Sequence, residues 1–118
     1  MNKIICILAL IVLSGCSVTL PVRGEIGKGQ ERFLGTTTGY MDGTGVLLIT
    51  TESGVRCKGE WQYVQRPIAG LGTFACQDGR TGGFDFTSDG PSGIGIGRTN
   101  KKEPFKFSYG QARTITTW

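Results

Sequence analysis

Three carboxylates, Glu60, Asp78 and Asp85, are the residues that could supply a general acid and base pair, the chemistry of a hydrolase. Their surroundings argue against it. Asp78 belongs to the turn sequence Gln77-Asp78-Gly79, while Glu60 and Asp85 alternate with apolar neighbours in strand-like segments and so point to the wet side. The chain contains no histidine to act as a base, and Ser53, Ser88 and Ser92 fall in turn sequences without a partner. Gly93-Ile94-Gly95-Ile96-Gly97 could let backbone amides approach a phosphate. A phosphate loop leads into a helix N-terminus, however, and none follows here. No catalytic residue, cofactor site or metal site is expected.

Cysteine carries the remaining chemistry. An apolar run from Ile4 to Leu13 follows the single charge of Lys3, and it is far shorter than the roughly 20 residues a spanning helix needs. That is the length of a signal-peptide core. It ends in Leu13-Ser14-Gly15-Cys16, which resembles the lipobox of bacterial lipoproteins: an apolar residue, two small ones, then a cysteine that becomes the new N-terminus. The resemblance implies cleavage before Cys16 and attachment of a diacylglyceryl thioether, usually with an N-acyl chain. Several long chains hold almost permanently, because each buried methylene contributes ~0.8 kcal/mol. Ser17, by the sorting rule of enteric lipoproteins, implies the outer membrane. Cys6 leaves with the signal peptide.

Cys57 and Cys76 remain. In an oxidising compartment a lone pair in a small domain is expected to form a disulfide, stabilising the fold by about 3 kcal/mol. Two thiols do not complete a structural zinc site, and no base activates a catalytic thiol.

Around these residues the composition is that of a small exported domain. Thirteen Lys and Arg stand against nine acids, a formal charge of +4. The basic residues are scattered except for Lys101-Lys102, the pattern of a solvated surface and not of a nucleic-acid patch. We divide the chain into a signal peptide over 1–15, a lipidated N-terminus and flexible tether over 16–32, where Gly24, Gly27 and Gly29 interrupt any apolar periodicity, and a single all-β domain over 33–118.

Within that domain no window shows helical spacing. Short alternating segments are separated by turn chemistry such as Met41-Asp42-Gly43, Glu52-Ser53-Gly54, Gln77-Asp78-Gly79 and Thr99-Asn100-Lys101-Lys102. Gly43-x-Gly45, Gly70-x-Gly72 and Gly93-x-Gly95 each open a strand that is followed by one carrying aromatics, a repeat of hairpins. If Cys57 faces Cys76, then Gly59 faces Phe74, Trp61 faces Gly72, and the bend falls between Arg66 and Pro67. A three-residue loop Glu52-Ser53-Gly54 sets Trp61 against Gly45. A loop of Asn100, Lys101 and Lys102 sets Gly97, Gly95 and Gly93 against Phe105, Phe107 and Tyr109. Glycines thus lie opposite large rings, which shield the bare backbone. Parity places Gly45, Leu47, Ile49, Cys57, Trp61, Phe74, Cys76, Phe84 and Phe86 on one face, and Arg56, Lys58, Glu60, Gln62, Gln77 and Asp85 on the other. The expected fold is an antiparallel up-and-down meander of seven to eight short strands, a curled sheet or small barrel.

The runs Cys57-Lys58-Gly59-Glu60-Trp61 and Gly72-Thr73-Phe74-Ala75-Cys76-Gln77-Asp78-Gly79-Arg80-Thr81-Gly82, the alternation from Gly93 to Gly97 and the ending from Phe105 to Gly110 resemble small uncharacterised lipoproteins of Gram-negative bacteria. More distantly they resemble MORN-type hairpin repeats, without the regular Tyr-x-Gly start of that pattern. The resemblance implies an outer-membrane, periplasm-facing module that binds an envelope protein or glycan, or is structural. Its contact residues would be Arg56, Lys58 and Glu60 of the wet face and the loop residues Arg80, Lys101 and Lys102, with an acidic partner near that loop and no nucleic acid. The alternative is a lipoprotein inhibitor of lysozyme, because Ser92-Gly93-Ile94-Gly95 echoes the loop such inhibitors insert. Against it, lysozymes are cationic and this chain is net positive.

Overall fold

The computed structural model describes residues 17–27, 31–89 and 91–110. Segment 1–15 and Cys16 lie outside the described residues. Eight strands follow one another: β1 (Val18–Ile26), β2 (Glu31–Gly39), β3 (Thr44–Thr51), β4 (Arg56–Gln65), β5 (Ala69–Cys76), β6 (Thr81–Ser88), β7 (Gly93–Thr99) and β8 (Pro104–Tyr109). Each pairs antiparallel with its neighbour in sequence, and β8 returns to pair with β1. The meander is therefore a closed barrel. Closure removes the edges that a sheet with one apolar face would otherwise expose.

The register is the one that glycine and ring positions dictate. Trp61 stands opposite Gly45 on one side and Gly72 on the other, and Gly93, Gly95 and Gly97 face Tyr109, Phe107 and Phe105. The fit is close: a β-carbon on Gly45 would lie 2.0 Å from the Trp61 ring, and one on Gly95 2.3 Å from that of Phe107. Each ring fills volume that its glycine leaves empty, and burying one contributes about 2 kcal/mol. Cys57 and Cys76, directly opposed on β4 and β5, are bonded to each other. The β4–β5 turn runs from Gln65 to Ile68, with Arg66 and Pro67 at its centre. One irregularity precedes it: the pairing shifts after Tyr63, leaving Val64 as a bulge.

Four turns are built alike. In those after β2, β3, β5 and β7, the third loop residue adopts a left-handed conformation and its N–H bonds to the carbonyl three residues back, as Gly54 does to Thr51 at 2.9 Å. Gly43, Gly54 and Gly79 take this position in three of them. In the fourth it falls to Lys102, with φ 64°, where a side chain is sterically disfavoured.

The expected tether over 16–32 is corrected. Val18–Ile26 is the closing strand of the barrel, and Glu31 already opens β2. Leu20, Val22, Gly24 and Ile26 turn inward and alternate with Pro21, Arg23 and Glu25. Gly24 breaks the apolar pattern because it is another ring-covered glycine, whose β-carbon would lie 2.2 Å from the Phe33 ring.

A second correction concerns Arg80. Expected as a surface contact, it is 8% exposed and closes the end of the barrel where the even-numbered strands begin. Its guanidinium lies 2.9 Å from Glu31, 2.8 Å from Asp78 and 3.7 Å from Glu103. These carboxylates come from the start of β2, the β5–β6 turn and the β7–β8 turn, and Ser53 of the β3–β4 turn also donates to Glu31. The hydrogen bonds from Ser53 and Arg80 hold the Glu31 carboxyl below the usual carboxylate range. Those from the Arg80 side chain and backbone do the same for Asp78, which in turn raises the pKa of Arg80.

Because the folded carboxylates release protons more readily than they do in the unfolded chain, the cluster stabilises the fold at neutral pH. That contribution is lost as pH falls below about 4. Arg80→Met, which leaves three carboxylates facing one another, should cost about 2 kcal/mol at pH 7. Chemical denaturation at pH 7 and in acid should show the gap between variant and native protein narrowing on acidification. Independently, Lys102→Gly should stabilise the barrel by about 1 kcal/mol in the same measurement, because glycine meets no steric penalty at positive φ.

Candidate binding cavity

The interior is filled unevenly along the barrel axis. Towards the Arg80 end, Phe105 stacks on Phe74 with centroids 4.3 Å apart and on Phe33 at 5.2 Å. Ile26, Ile49 and the disulfide complete this layer, all of them buried. Towards the other end the rings of Trp61, Phe86 and Tyr109 are laid against the backbone of Gly45, Gly70 and Gly93 in the wall, and they leave space between them. A cavity of about 560 Å³ results.

Leu47, Phe84 and Phe107 form its floor, and Trp61, Tyr63, Phe86 and Tyr109 its walls. The walls are mutually braced. Trp61 meets Tyr63 and Phe86 edge to face, each with centroids 5.3 Å apart, and Phe86 meets Tyr109 at 6.4 Å. Few polar groups enter. The Trp61 indole N–H donates to the Thr37 hydroxyl at 2.8 Å, and that hydroxyl donates to the Val46 carbonyl at 3.2 Å. Burial pushes the Tyr109 phenol up from its ordinary pKa, keeping it neutral. Among the described residues that line the cavity, Arg66 alone carries a formal charge, and its Nη2 donates to the Met41 carbonyl at 2.8 Å. Asp42, in the same turn as Met41, accepts the Thr44 hydroxyl and N–H, which lower its carboxyl pKa.

The mouth opens where the seam between the first and last strands ends. β1 pairs with β8 only from Val22 to Ile26, whereas Val18 to Pro21 pair with β2 alone. Pro21 has no N–H to continue a ladder, and its carbonyl accepts the Gly110 N–H at 2.9 Å as the last link of the seam.

The residues singled out for contact or chemistry do not converge. Arg56, Lys58 and Glu60 lie exposed on the outer face of β4, and Lys101 and Lys102 lie exposed at the closed end, away from the cavity. Asp85 points outward from β6, with β5 between it and Glu60, while Asp78 is bound to Arg80. Gly93 and Gly95 are not a free loop, since they sit inside β7 beneath the rings of Tyr109 and Phe107. Among the described residues no group of three or more His, Cys, Asp or Glu is placed to hold a metal ion.

The sequence places Trp61, Phe84 and Phe86 on the inward face and carries no statement of the space left between them. The available signal is that Trp61, Phe86 and Tyr109 each lie against a glycine of a neighbouring strand, which draws these rings to the wall.

No family model matches the chain, and no curated protein matches it. Among solved structures, the chain is similar to a redesigned β-barrel, mFAP1, bound to DFHBI, with a TM-score of 0.63 and 11% identity, covering 79% of this chain and 92% of that one. It is also similar to a de novo designed fluorescence-activating β-barrel, with a TM-score of 0.60 and 12% identity, covering 80% of this chain and 91% of that one. At such identities the likeness is one of fold alone: an eight-stranded antiparallel barrel closed upon itself.

Proposed function

We propose that this protein is a lipid-anchored envelope lipoprotein whose barrel is a non-catalytic binding module for one small, largely apolar ligand. The observation that carries the reading is the ring-lined cavity at one end. Its volume of about 560 Å³ lies within the range of ligand sites, and an eight-stranded barrel is wide enough for one small ligand. The walls are set before a ligand arrives, because the rings rest on glycine backbone and the Trp61 N–H is already bonded. Little ordering is then left to oppose binding. Arg66 at the rim suits a ligand with an apolar body and an acidic or accepting head. The redesigned barrel mFAP1, of the same architecture, is described as bound to DFHBI.

The address rests on the sequence. Leu13-Ser14-Gly15-Cys16 supports lipid attachment at Cys16, and Ser17 supports the outer membrane, with the domain facing the periplasm. An envelope protein or glycan would meet the basic outer surface of Arg56, Lys58, Lys101 and Lys102.

Residues 17–118, which retain all eight strands, should bind the dye 1-anilinonaphthalene-8-sulfonate saturably and with one site in a fluorescence titration. Trp61→Leu, which removes a wall and its bond to Thr37, should weaken binding about tenfold. Unsaturable dye uptake, or unchanged affinity in Trp61→Leu, would refute the cavity as the site. Mass spectrometry of the N-terminal peptide should find Cys16 acylated, and Cys16→Ser should leave the membrane fraction.

A further inference from the structure

The rim of the mouth is apolar on its outside as well. Val18, Tyr40, Met41, Val64 and Ile68 are 57%, 46%, 68%, 66% and 51% exposed. They come from the start of β1, the β2–β3 turn, the β4 bulge and the β4–β5 turn, so they form one arc around the opening. An exposed apolar arc of this kind marks a surface that something covers. Inside the arc the apolar path continues down the cavity walls to Phe84 and Phe107, and among the described residues that line it only Arg66 is charged.

We propose that this arc rests on the lipid bilayer and that the cavity takes up an acyl chain of a bilayer phospholipid. The inference rests on the lipoprotein reading above and names the ligand of the same cavity. Cys16 stands two residues before Val18, and two residues span at most about 7 Å. A lipid on Cys16 therefore holds the mouth, and not the Arg80 end, against the membrane. The arc has the composition of an interface: aliphatic side chains to enter the acyl boundary, the Tyr40 ring, and the Arg66 guanidinium at headgroup level, where its charge stays hydrated or meets phosphate. A docked protein would cover the arc but would not follow the apolar path inward. An acyl chain does both.

The test uses the full chain, processed and lipidated in cells, with Trp118→Phe so that Trp61 remains of the two tryptophans. It is placed in vesicles of phosphatidylethanolamine and phosphatidylglycerol whose acyl chains carry bromine at mid-chain. Trp61 is half-buried and lines the cavity, so a mid-chain bromine that enters with a vesicle lipid lies against its ring. Its emission should fall strongly relative to unbrominated vesicles. Val64→Lys combined with Ile68→Lys, both exposed on the arc and outside the cavity lining, should keep the anchor but reduce the quenching roughly tenfold, since each lysine removes the burial of one apolar side chain.

Unquenched Trp61 overturns the proposal, and this outcome includes occupation of the cavity by the protein's own unbrominated acyl chain. Quenching unaffected by the two lysines overturns the docking arc. If Trp61 stays bright while residues 17–118 still bind the naphthalene dye, the lipid inference fails and the binding module stands. If the dye also fails to bind, or Cys16 carries no lipid, the underlying reading falls with it.

Discussion

An eight-stranded barrel has an interior barely wide enough for its own side chains, and here the laying of aromatic rings onto glycine backbone decides how that width is used. A ring rooted on one strand reaches across to a glycine on the next, as Trp61 does to Gly45 and Phe107 to Gly95. The pairing sets register, because a slip of one residue would drive each ring into a side chain and turn the apolar face outward. It also holds the rings at fixed angles around the axis. Where rings converge, as at Phe33, Phe74 and Phe105, the interior is solid. Where the rings of Trp61, Phe86 and Tyr109 lie back on glycines of the wall, it is hollow.

This arrangement makes the two ends of the barrel physically unlike. One is sealed by a guanidinium shared among three carboxylates, a polar closure that draws together the start of one strand and the turns between others. Among the described residues the opposite end has no such closure. It presents rings within, aliphatic groups around the edge and one arginine, and both terminal strands lead to it. Charge and burial thus give the molecule a direction, which an anchor at Cys16 would turn into an orientation relative to a membrane.

Much of the fold was legible in the sequence because antiparallel pairing turns spacing into contact. Once the turns at Glu52-Ser53-Gly54 and Asn100-Lys101-Lys102 are accepted, every facing pair in their hairpins follows, and the inward and outward residues sort by parity. The disulfide partners were legible on another ground, as the two cysteines left to the domain, and their pairing then set the register of β4 and β5. The first strand was not, because Gly24, Gly27 and Gly29 resemble a linker until the ring that covers Gly24 is known to come from the neighbouring strand. Arg80 was misplaced because its neighbours form a turn, and turns are ordinarily exposed. Its burial depends on Glu31 and Glu103 arriving from distant parts of the chain, which local pattern does not encode. The cavity was missed because parity tells which way a side chain points and nothing about how much space is left when all of them have pointed there.

Ring-on-glycine contact also bears on how such a chain can vary over generations. Outward positions can change freely, one at a time. An inward glycine cannot acquire even a methyl group while its ring remains, and a ring cannot shrink without opening a void beside bare backbone. These positions can drift only as couples, large and small exchanging places across the gap between strands. Two barrels built on this principle can therefore lose nearly all resemblance letter by letter while retaining the same cross-strand complementarity of volume.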